Sequence, residues 1–243
     1  MTEPLLQVTG LGKRFGGFIA LDAVDLVIGP GERVGLIGPN GSGKSTFVNC
    51  LSGTLRNEVG HVVFDGHPLD GLPAHRRTRL GLARSFQLPR PFVSLTVGEN
   101  LRVPIEYAVH SQRAGAHADI PERCEELLSL VGLAGRAEAR PADLTQVEMR
   151  KLELARAMAA EPKLLIADEA MADLSHAEVD DILALLLRMN TDGVTIIMIE
   201  HIMRAVMQFS QRLVVFVAGR KIADGDPQDV IRNPEVERAY LGE

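Results

Sequence analysis

The sequence of 243 residues predicts an α/β protein with a mainly parallel β-sheet. Two observations lead to this prediction. Short apolar segments of strand length alternate along the chain with segments of helical periodicity, as they do in parallel α/β domains. A glycine-rich loop of the form G-x-x-x-x-G-K-[ST] also lies between an early predicted strand and a predicted helix. At this length the chain can form one such domain, or a core that carries a smaller subdomain.

The composition is that of an ordinary globular protein, with 46% hydrophobic and 24% charged residues. The net charge of −6 argues against nucleic acid as the main partner. Cys50 and Cys124 are too few for a disulfide framework and too far apart in sequence for a metal-binding pair. The opening Met1–Pro4 lacks the features of a signal peptide, and the longest apolar runs are far short of a membrane span. We therefore expect a cytoplasmic protein that reaches a membrane only through a partner.

The glycine-rich loop predicts a site for a nucleoside triphosphate. It consists of Gly38, Pro39, Asn40, Gly41, Ser42, Gly43, Lys44, Ser45 and Thr46. Its glycines let successive backbone N–H groups turn inward and hold phosphate oxygens, Lys44 can reach the terminal phosphates, and the Ser45 hydroxyl can bind Mg²⁺. A strand at 33–37 enters the loop, and a helix at 45–51, capped by Gly53, leaves it. The positive end of that helix dipole then points at the phosphates.

Two strands, at 5–9 and 21–28, are predicted before the loop. Between them lies the basic, glycine-containing segment 13–17, whose single aromatic residue is Phe15. The face of this ring can stack on a nucleotide base. An aromatic side chain packed at a strand end is an equally good interpretation.

After the phosphate-binding loop, the sequence predicts further core elements before and after a helical segment. The elements predicted here are strands at 60–66 and 80–87, helices at 97–105 and 121–131, an exposed loop at 107–120, a strand at 164–169, a helix at 178–190, a strand at 194–199, a hairpin at 213–218 and 220–223, and helix starts at Asp226-Pro227 and Asn233-Pro234. Residues 1–86 are thus predicted as the first part of the core, 87–160 as a helical subdomain, and 161–243 as the second part of the core with a tail.

Two acidic residues end the apolar strand at 164–169. Asp168 can hold the Mg²⁺ that bridges the phosphates, and Glu169 can polarise the attacking water as a general base. His201, at the end of the next apolar strand, can contact the γ-phosphate and position Glu169 and the water. Acids at a strand end, or a lone histidine, are by themselves typical of a solvated loop. The phosphate-binding loop upstream is what favours the catalytic interpretation.

Over almost its whole length the chain closely resembles the ATP-binding subunits of ABC transporters, most of all those of branched-chain amino-acid transporters. The resemblance extends to Arg84-Ser-Phe-Gln87, to Ile199-Glu-His201 and to the tail at 219–243. It implies the ABC ATPase fold: a P-loop NTPase core with a mainly parallel sheet, an antiparallel β subdomain and an inserted helical subdomain. It also implies that ATP and Mg²⁺ are bound between two such subunits. Gln87 would then join Ser45 and Asp168 around the metal and link it to the helical subdomain.

One motif departs from the family pattern. The family signature reads Leu-Ser-Gly-Gly-Gln and begins a helix whose N–H groups bind the γ-phosphate held by the opposite subunit. Here Leu144 is followed by Thr145, Gln146, Val147 and Glu148. Thr145 keeps a hydroxyl, but side chains replace both glycines and Glu148 adds a carboxylate where an anion should bind. Thr145 and Glu148 also fit a capping box that satisfies the N–H groups of their own helix. Both interpretations predict weakened phosphate binding.

Two neighbouring departures fall on the same inter-subunit surface, where Ala170 replaces a proline and Ala172–Ser175 alters the crossing segment. We therefore expect a heterodimer with a second ABC ATPase subunit that carries an intact signature, rather than a homodimer. Integral membrane permease subunits and a solute-binding protein are the further partners implied, and no nucleic acid. Import of a small solute such as a branched-chain amino acid is expected from the resemblance alone. The alternatives are a nucleotide-dependent switch in a soluble assembly and, less well supported, a P-loop kinase.

Overall fold

A computed structural model describes residues 3–86, 88–109 and 120–241. The strands are β1 (Leu6–Phe15), β2 (Phe18–Ile28), β3 (Arg33–Ile37), β4 (Val59–Phe64), β5 (His67–Pro68), β6 (Leu82–Ser85), β7 (Leu164–Asp168), β8 (Thr195–Ile199), β9 (Arg212–Val217) and β10 (Arg220–Gly225). The helices are α1 (Lys44–Ser52), α2 (Ala74–Arg79), α3 (Val97–Pro104), α4 (Ile120–Leu130), α5 (Gln146–Met158), α6 (His176–Thr191), α7 (Met203–Phe209), α8 (Pro227–Val230) and α9 (Pro234–Leu241). None of the helices in these ranges is long and apolar enough to cross a bilayer.

The strands form two sheets, and the larger one confirms the predicted α/β core. Its strand order is β10-β9-β3-β8-β7-β6, in which every neighbouring pair is parallel except the antiparallel hairpin β9–β10. The smaller sheet is antiparallel with the order β2-β1-β4-β5. β7 and β8 are buried along their whole length, as continuous apolar strands of a parallel sheet are when both faces are covered.

The large sheet separates two apolar cores. Alternate side chains of one strand point to opposite faces, and β7 shows the consequence directly. Leu165 and Ala167 pack into the core formed with α3, α4, α5 and α6. Ile166 packs on the other side, with α1 and the smaller sheet. Because both faces are filled, the carboxyl end of β7 has little freedom to move, and the side chains that follow it are held in place.

The predicted loop at 107–120 is partly wrong. Tyr107, Ala108 and Val109 belong to a π-helical turn, Ile105–Val109, that continues α3. Ile105 and Val109 are both buried and lie four residues apart, so this turn presents an apolar face to the helical core. Pro104, which lacks an amide N–H, directly precedes the turn. Residues 110–119 of the predicted loop lie outside the described residues.

The other differences concern short elements and strand ends. The sequence did not indicate α2 or α7, because six or seven residues are too few for a clear helical period. β6 ends at Ser85, two residues before the predicted end, and Gln87 lies outside the described residues. The predicted caps of the tail are confirmed, since Asp226 accepts a hydrogen bond from the Gln228 amide and Asn233 accepts one from the Glu235 amide.

Candidate nucleotide site

The glycine-rich loop joins β3 to α1, as the sequence predicts. At two positions only glycine fits. A Cβ on Gly38, whose φ is 155°, would lie 2.2 Å from the Phe216 carbonyl oxygen. A Cβ on Gly43, whose φ is 102°, would lie 2.6 Å from the Ala20 carbonyl oxygen. Phe216 belongs to β9 and Ala20 to β2, so both strands pack closely against the loop. The backbone conformation of the loop therefore depends on tertiary packing as well as on its own glycines.

Lys44 lies at the first position of α1, and its side chain folds back over the loop. Its Nζ donates hydrogen bonds to the carbonyl oxygens of Gly38 at 2.6 Å and Pro39 at 3.0 Å. Burial lowers the pKa of the Lys44 ammonium, and the nearby carboxylates of Glu169 and Asp168 only partly oppose this effect. The loop thus contains a partly desolvated cation, which can pair with a polyphosphate, and this cation is close to both acids.

Phe15 is the last residue of β1, and its ring is half exposed. The ring is 50% exposed and pairs across the strands with Phe18, which is 61% exposed. The Lys13 ammonium lies 5.4 Å from the centre of the Phe15 ring. Because the ring is not packed into a core, base stacking stays a prediction for Phe15. Phe18 is a second exposed aromatic residue, two positions before Ala20, whose carbonyl oxygen lies close to Gly43. The sequence did not indicate it as a candidate for base stacking.

Asp168 is the last residue of β7, and its carboxylate is paired with Arg84. The Asp168 Oδ2 accepts a hydrogen bond from the Arg84 guanidinium at 2.7 Å, and both side chains are nearly buried. The same guanidinium donates to Asn49 Oδ1 on α1 at 2.7 Å. Arg84 therefore connects the acid at the end of β7 to the helix that follows the phosphate loop. The signal for it in the sequence was a charged residue inside the apolar strand segment Leu82–Ser85.

Glu169 follows Asp168 in a left-handed backbone conformation, with φ of 48°. Such a conformation is uncommon for a residue other than glycine and is found where the surrounding structure imposes it. Here the Glu169 amide donates to the Ile199 carbonyl at 2.9 Å, and the Glu169 carbonyl accepts from Ala172. The turn that carries the predicted general base is thus tied to the end of β8.

His201 comes just after β8, next to that turn. Its imidazole is 69% exposed, and its Nδ1 lies 4.0 Å from Oε2 of Glu200. Glu200 is buried, and its Oε1 accepts the Met171 amide at 2.9 Å. Burial raises the pKa of the Glu200 carboxyl, which the Met171 hydrogen bond and His201 oppose. The sequence interpretation assigned no role to Glu200, although a carboxylate at the end of an apolar strand was visible.

The parallel register explains why these groups meet. Asp168 pairs with Ile199, so the ends of β7 and β8 lie at the same edge of the sheet. β3, which enters the phosphate loop, is the other neighbour of β8. Lys44 lies close to Asp168 and Glu169, and His201 follows the neighbouring strand end; their joint action on one nucleotide stays a prediction. Gln87 cannot be placed with them, because it lies outside the described residues.

The altered signature forms the first turn of α5. The predicted capping box is confirmed: Thr145 Oγ1 accepts the Glu148 amide at 3.3 Å, and Glu148 Oε2 accepts the Thr145 amide at 2.8 Å. Arg136 donates to both Glu148 oxygens at 3.1 Å. The hydrogen bond from the Thr145 amide, together with Arg136, lowers the pKa of the Glu148 carboxyl. The Thr145 and Glu148 amides and the Thr145 hydroxyl, which could otherwise bind an anion, are therefore already engaged.

The two residues that replace the glycines of the signature also have structural contacts. The Gln146 side-chain amide donates to the Asp173 carbonyl at 3.3 Å, which ties the signature to the crossing segment after Glu169. Val147 is partly buried and packs against the helical core. Asp173 has a φ of 62°, in the left-handed region that favours glycine and also tolerates aspartate. The altered residues of both segments thus contact one another within this chain.

The chain offers oxygen ligands of the kind that Mg²⁺ prefers. The Ser45 hydroxyl is exposed at the start of α1, and the Asp168 carboxylate lies at the end of β7. Within the described ranges there is no cluster of three or more histidine, cysteine or acidic side chains that could hold a metal. Mg²⁺ in nucleotide sites is held by one or two protein groups together with phosphates, so these residues fit a metal that arrives with the nucleotide.

Comparisons with known proteins give matches over most of the chain. Residues 21–172 match the family model described as ABC transporter, and residues 220–243 match the model described as branched-chain amino acid ATP-binding cassette transporter. The chain is 37% identical to the high-affinity branched-chain amino acid transport ATP-binding protein BraF of Pseudomonas aeruginosa, and 38% identical to LivG of Escherichia coli K12. Both matches cover 100% of each chain.

Solved structures give the same result for the fold. A nucleotide-free ATP-binding cassette from an ABC transporter matches with a TM-score of 0.88 and 28% identity, over 99% of this chain and 100% of that one. A dimeric ATP-binding cassette, MJ0796, bound to ADP and Pi, matches with a TM-score of 0.81 and 25% identity, over 91% of this chain and 98% of that one.

Proposed function

The chain belongs to the ABC transporter family of ATP-binding proteins, and from that premise we propose that it powers the import of branched-chain amino acids. As a member of this family it is an ATPase subunit of a transporter. The observation that carries the choice of substrate is the full-length similarity to BraF and LivG, together with the match of the tail at 220–243. The cargo itself would be selected by permease subunits and a solute-binding protein.

In the proposed site each group has a specific role. The phosphate loop, residues 38–46, holds the ATP phosphates through its N–H groups, and Lys44 supplies positive charge at the terminal phosphates. Ser45, Asp168 and Gln87 would hold Mg²⁺, which would neutralise phosphate charge. Phe15 stacks on the base, Glu169 takes the proton of the attacking water, and His201 contacts the γ-phosphate. The placement of Lys44 close to Asp168 and Glu169 supports this assignment.

We further propose that the functional unit is an unequal pair. An ATP held by this chain would face the signature of the partner subunit, whereas the partner's ATP would face Thr145–Glu148. At that second site the Glu148 carboxylate lies where an anion should bind, and the Thr145 hydroxyl already accepts the Glu148 amide. A heterodimer would then hydrolyse the ATP held by this chain's own phosphate loop. A homodimer would have two weak sites.

A permease contact is proposed at an apolar cavity of about 520 Å³. It lies between α2, α5 and the π-helical turn, and its walls include Phe86, Phe92 and Tyr107. Tyr107 is 66% exposed, and Val93 beside the cavity is 78% exposed. Phe86 in this surface directly precedes Gln87 in sequence, so a permease helix docked here would act on the proposed Mg²⁺ site. Docking of this surface would place the chain on the inner face of the membrane.

The proposed subdomain boundaries are 1–86, 87–160 and 161–243. They put α3, α4 and α5 between β6 and β7, two strands that pair with each other in the sheet.

The test is to purify the chain by affinity from its native host and identify what copurifies. An integral membrane permease and a second ABC ATPase subunit are expected. Phosphate release by the isolated chain and by the chain with that second subunit should then differ by tenfold or more. Ordinary transporter turnover by the isolated homodimer would contradict the unequal pair. Recovery only with soluble proteins would contradict transport and favour a nucleotide-dependent switch.

A further inference from the structure

Glu200 is a buried acid that the proposed site does not use. Its side chain is 1% exposed, and it lies between the last residue of β8 and His201. A carboxylate is seldom retained at such a position unless its oxygens are engaged, because burial strips it of water. Its two oxygens have different surroundings, and each is close to a segment that carries a proposed catalytic residue.

The first oxygen fastens the turn of Glu169. Oε1 accepts the Met171 amide at 2.9 Å, while the Glu169 amide donates to the Ile199 carbonyl. Two successive groups of the β8 end therefore hold the segment that begins at Glu169. This arrangement keeps the left-handed conformation of Glu169 in place, because the backbone on its far side cannot relax.

The second oxygen has no hydrogen-bond partner among the described residues, although it is fully buried. Besides the His201 backbone amide, which also lies near this carboxyl, the Nδ1 of the His201 imidazole is 4.0 Å from Oε2. The imidazole itself is largely exposed. A small rotation of the ring would bring Nδ1–H within hydrogen-bond distance of Oε2 and satisfy the buried acceptor.

We infer that Glu200 is a positioning residue, which orients His201 toward the γ-phosphate while it holds the Glu169 turn. This inference rests on the proposed roles of Glu169 and His201. When Nδ1–H donates to Oε2, the ring has a defined orientation, and in its doubly protonated imidazolium form the Nε2–H is left to donate to a phosphate oxygen. One carboxylate then connects the residue that contacts the γ-phosphate to the residue that takes the proton of the attacking water.

The variant Glu200→Gln separates the two contacts. Its carbonyl oxygen can still accept the Met171 amide, but its NH₂ group faces His201 with a donor in place of an acceptor. We expect kcat for ATP hydrolysis to fall about tenfold or more, by analogy with the partners that orient metal-binding histidines. ATP affinity and the thermal unfolding midpoint should stay close to the wild-type values. Glu200→Met, which loses both contacts, should lower the unfolding midpoint as well.

A spectroscopic measurement distinguishes positioning from a merely structural role. With Mg²⁺ and AMP-PNP bound, ¹⁵N NMR of the wild-type chain should show a proton on Nδ1 of His201, and Glu200→Gln should lose it. A His201→Gln variant assigns the signal among the seven histidines of the chain. Turnover of Glu200→Gln within twofold of wild type would overturn the inference, and so would an unchanged His201 signal. Failure of the wild-type chain to hydrolyse ATP with its partner would instead refute the proposed function.

Discussion

Restoring glycines to the first turn of α5 should raise ATP hydrolysis and lower stability at the same time. The triple variant Gln146→Gly, Val147→Gly and Glu148→Gln has the sequence Leu-Thr-Gly-Gly-Gln in place of the altered signature. It opens the backbone to a phosphate of the opposite subunit and removes the carboxylate, while Thr145 keeps its hydroxyl. Turnover by the isolated homodimer should rise at least about tenfold, because one preorganised donor to a developing charge is worth about 10²–10³ in kcat.

Three contributions add up to the expected loss in the free energy of unfolding. Two helical glycines in place of glutamine and valine cost about 1 kcal/mol together. Loss of the partly buried Val147 side chain from the helical core costs about 1 kcal/mol more. The Arg136–Glu148 pair is partly exposed and contributes less than about 1 kcal/mol. The free energy of unfolding should therefore fall by about 2 to 3 kcal/mol, which corresponds to roughly 5 to 10 °C in the unfolding midpoint.

Phosphate release and thermal unfolding measured on the same preparation test both halves of this prediction. The matched control is Glu99→Gln, which changes the equivalent residue of the Thr96–Glu99 capping box on α3. That control should alter stability slightly and leave turnover of the homodimer unchanged. The reasoning is refuted if the triple variant loses the calculated stability but hydrolyses ATP no faster than the unmodified chain.

Changes or labelling at four single side chains give further predictions. Lys44→Ala should abolish tight ATP binding measured with a fluorescent analogue, whereas Glu169→Gln should keep binding and trap a closed dimer by size-exclusion chromatography; undiminished turnover in Glu169→Gln would remove that residue from catalysis. The pKa of the Glu148 carboxyl is lowered from 4.5 in the folded chain, so the ionised carboxylate stabilises the fold. In denaturant titrations, Glu148→Gln should therefore show its full loss of unfolding free energy above pH 4.5, and this loss should disappear as the pH falls through the folded pKa. Burial raises the pKa of Cys50 to about 11, so DTNB at pH 8 should not label it before unfolding.

Local patterns accounted for much of the fold and the site. The loop at 38–46, the capping box of Thr145 and Glu148 and the helix caps of the tail could all be predicted, because their physics involves residues a few positions apart. The alternation of strands and helices likewise predicted the parallel core. The sequence did not reveal α2, α7 or the π-helical turn. α2 and α7 are too short to show a clear helical period, and Pro104 interrupts the period just before the π-helical turn.

The sequence by itself determined which chemical groups this protein possesses and that a triphosphate loop precedes a strand with two terminal acids. The tertiary structure decided which groups meet. Arg84 reaches Asp168 across 84 positions, Glu200 reaches Met171 across 29, and Gln146 reaches Asp173 across 27. Contacts of this kind depend on strand order and register, since β6, β7 and β8 become neighbours only when the sheet forms. No local pattern in the chain encodes that adjacency.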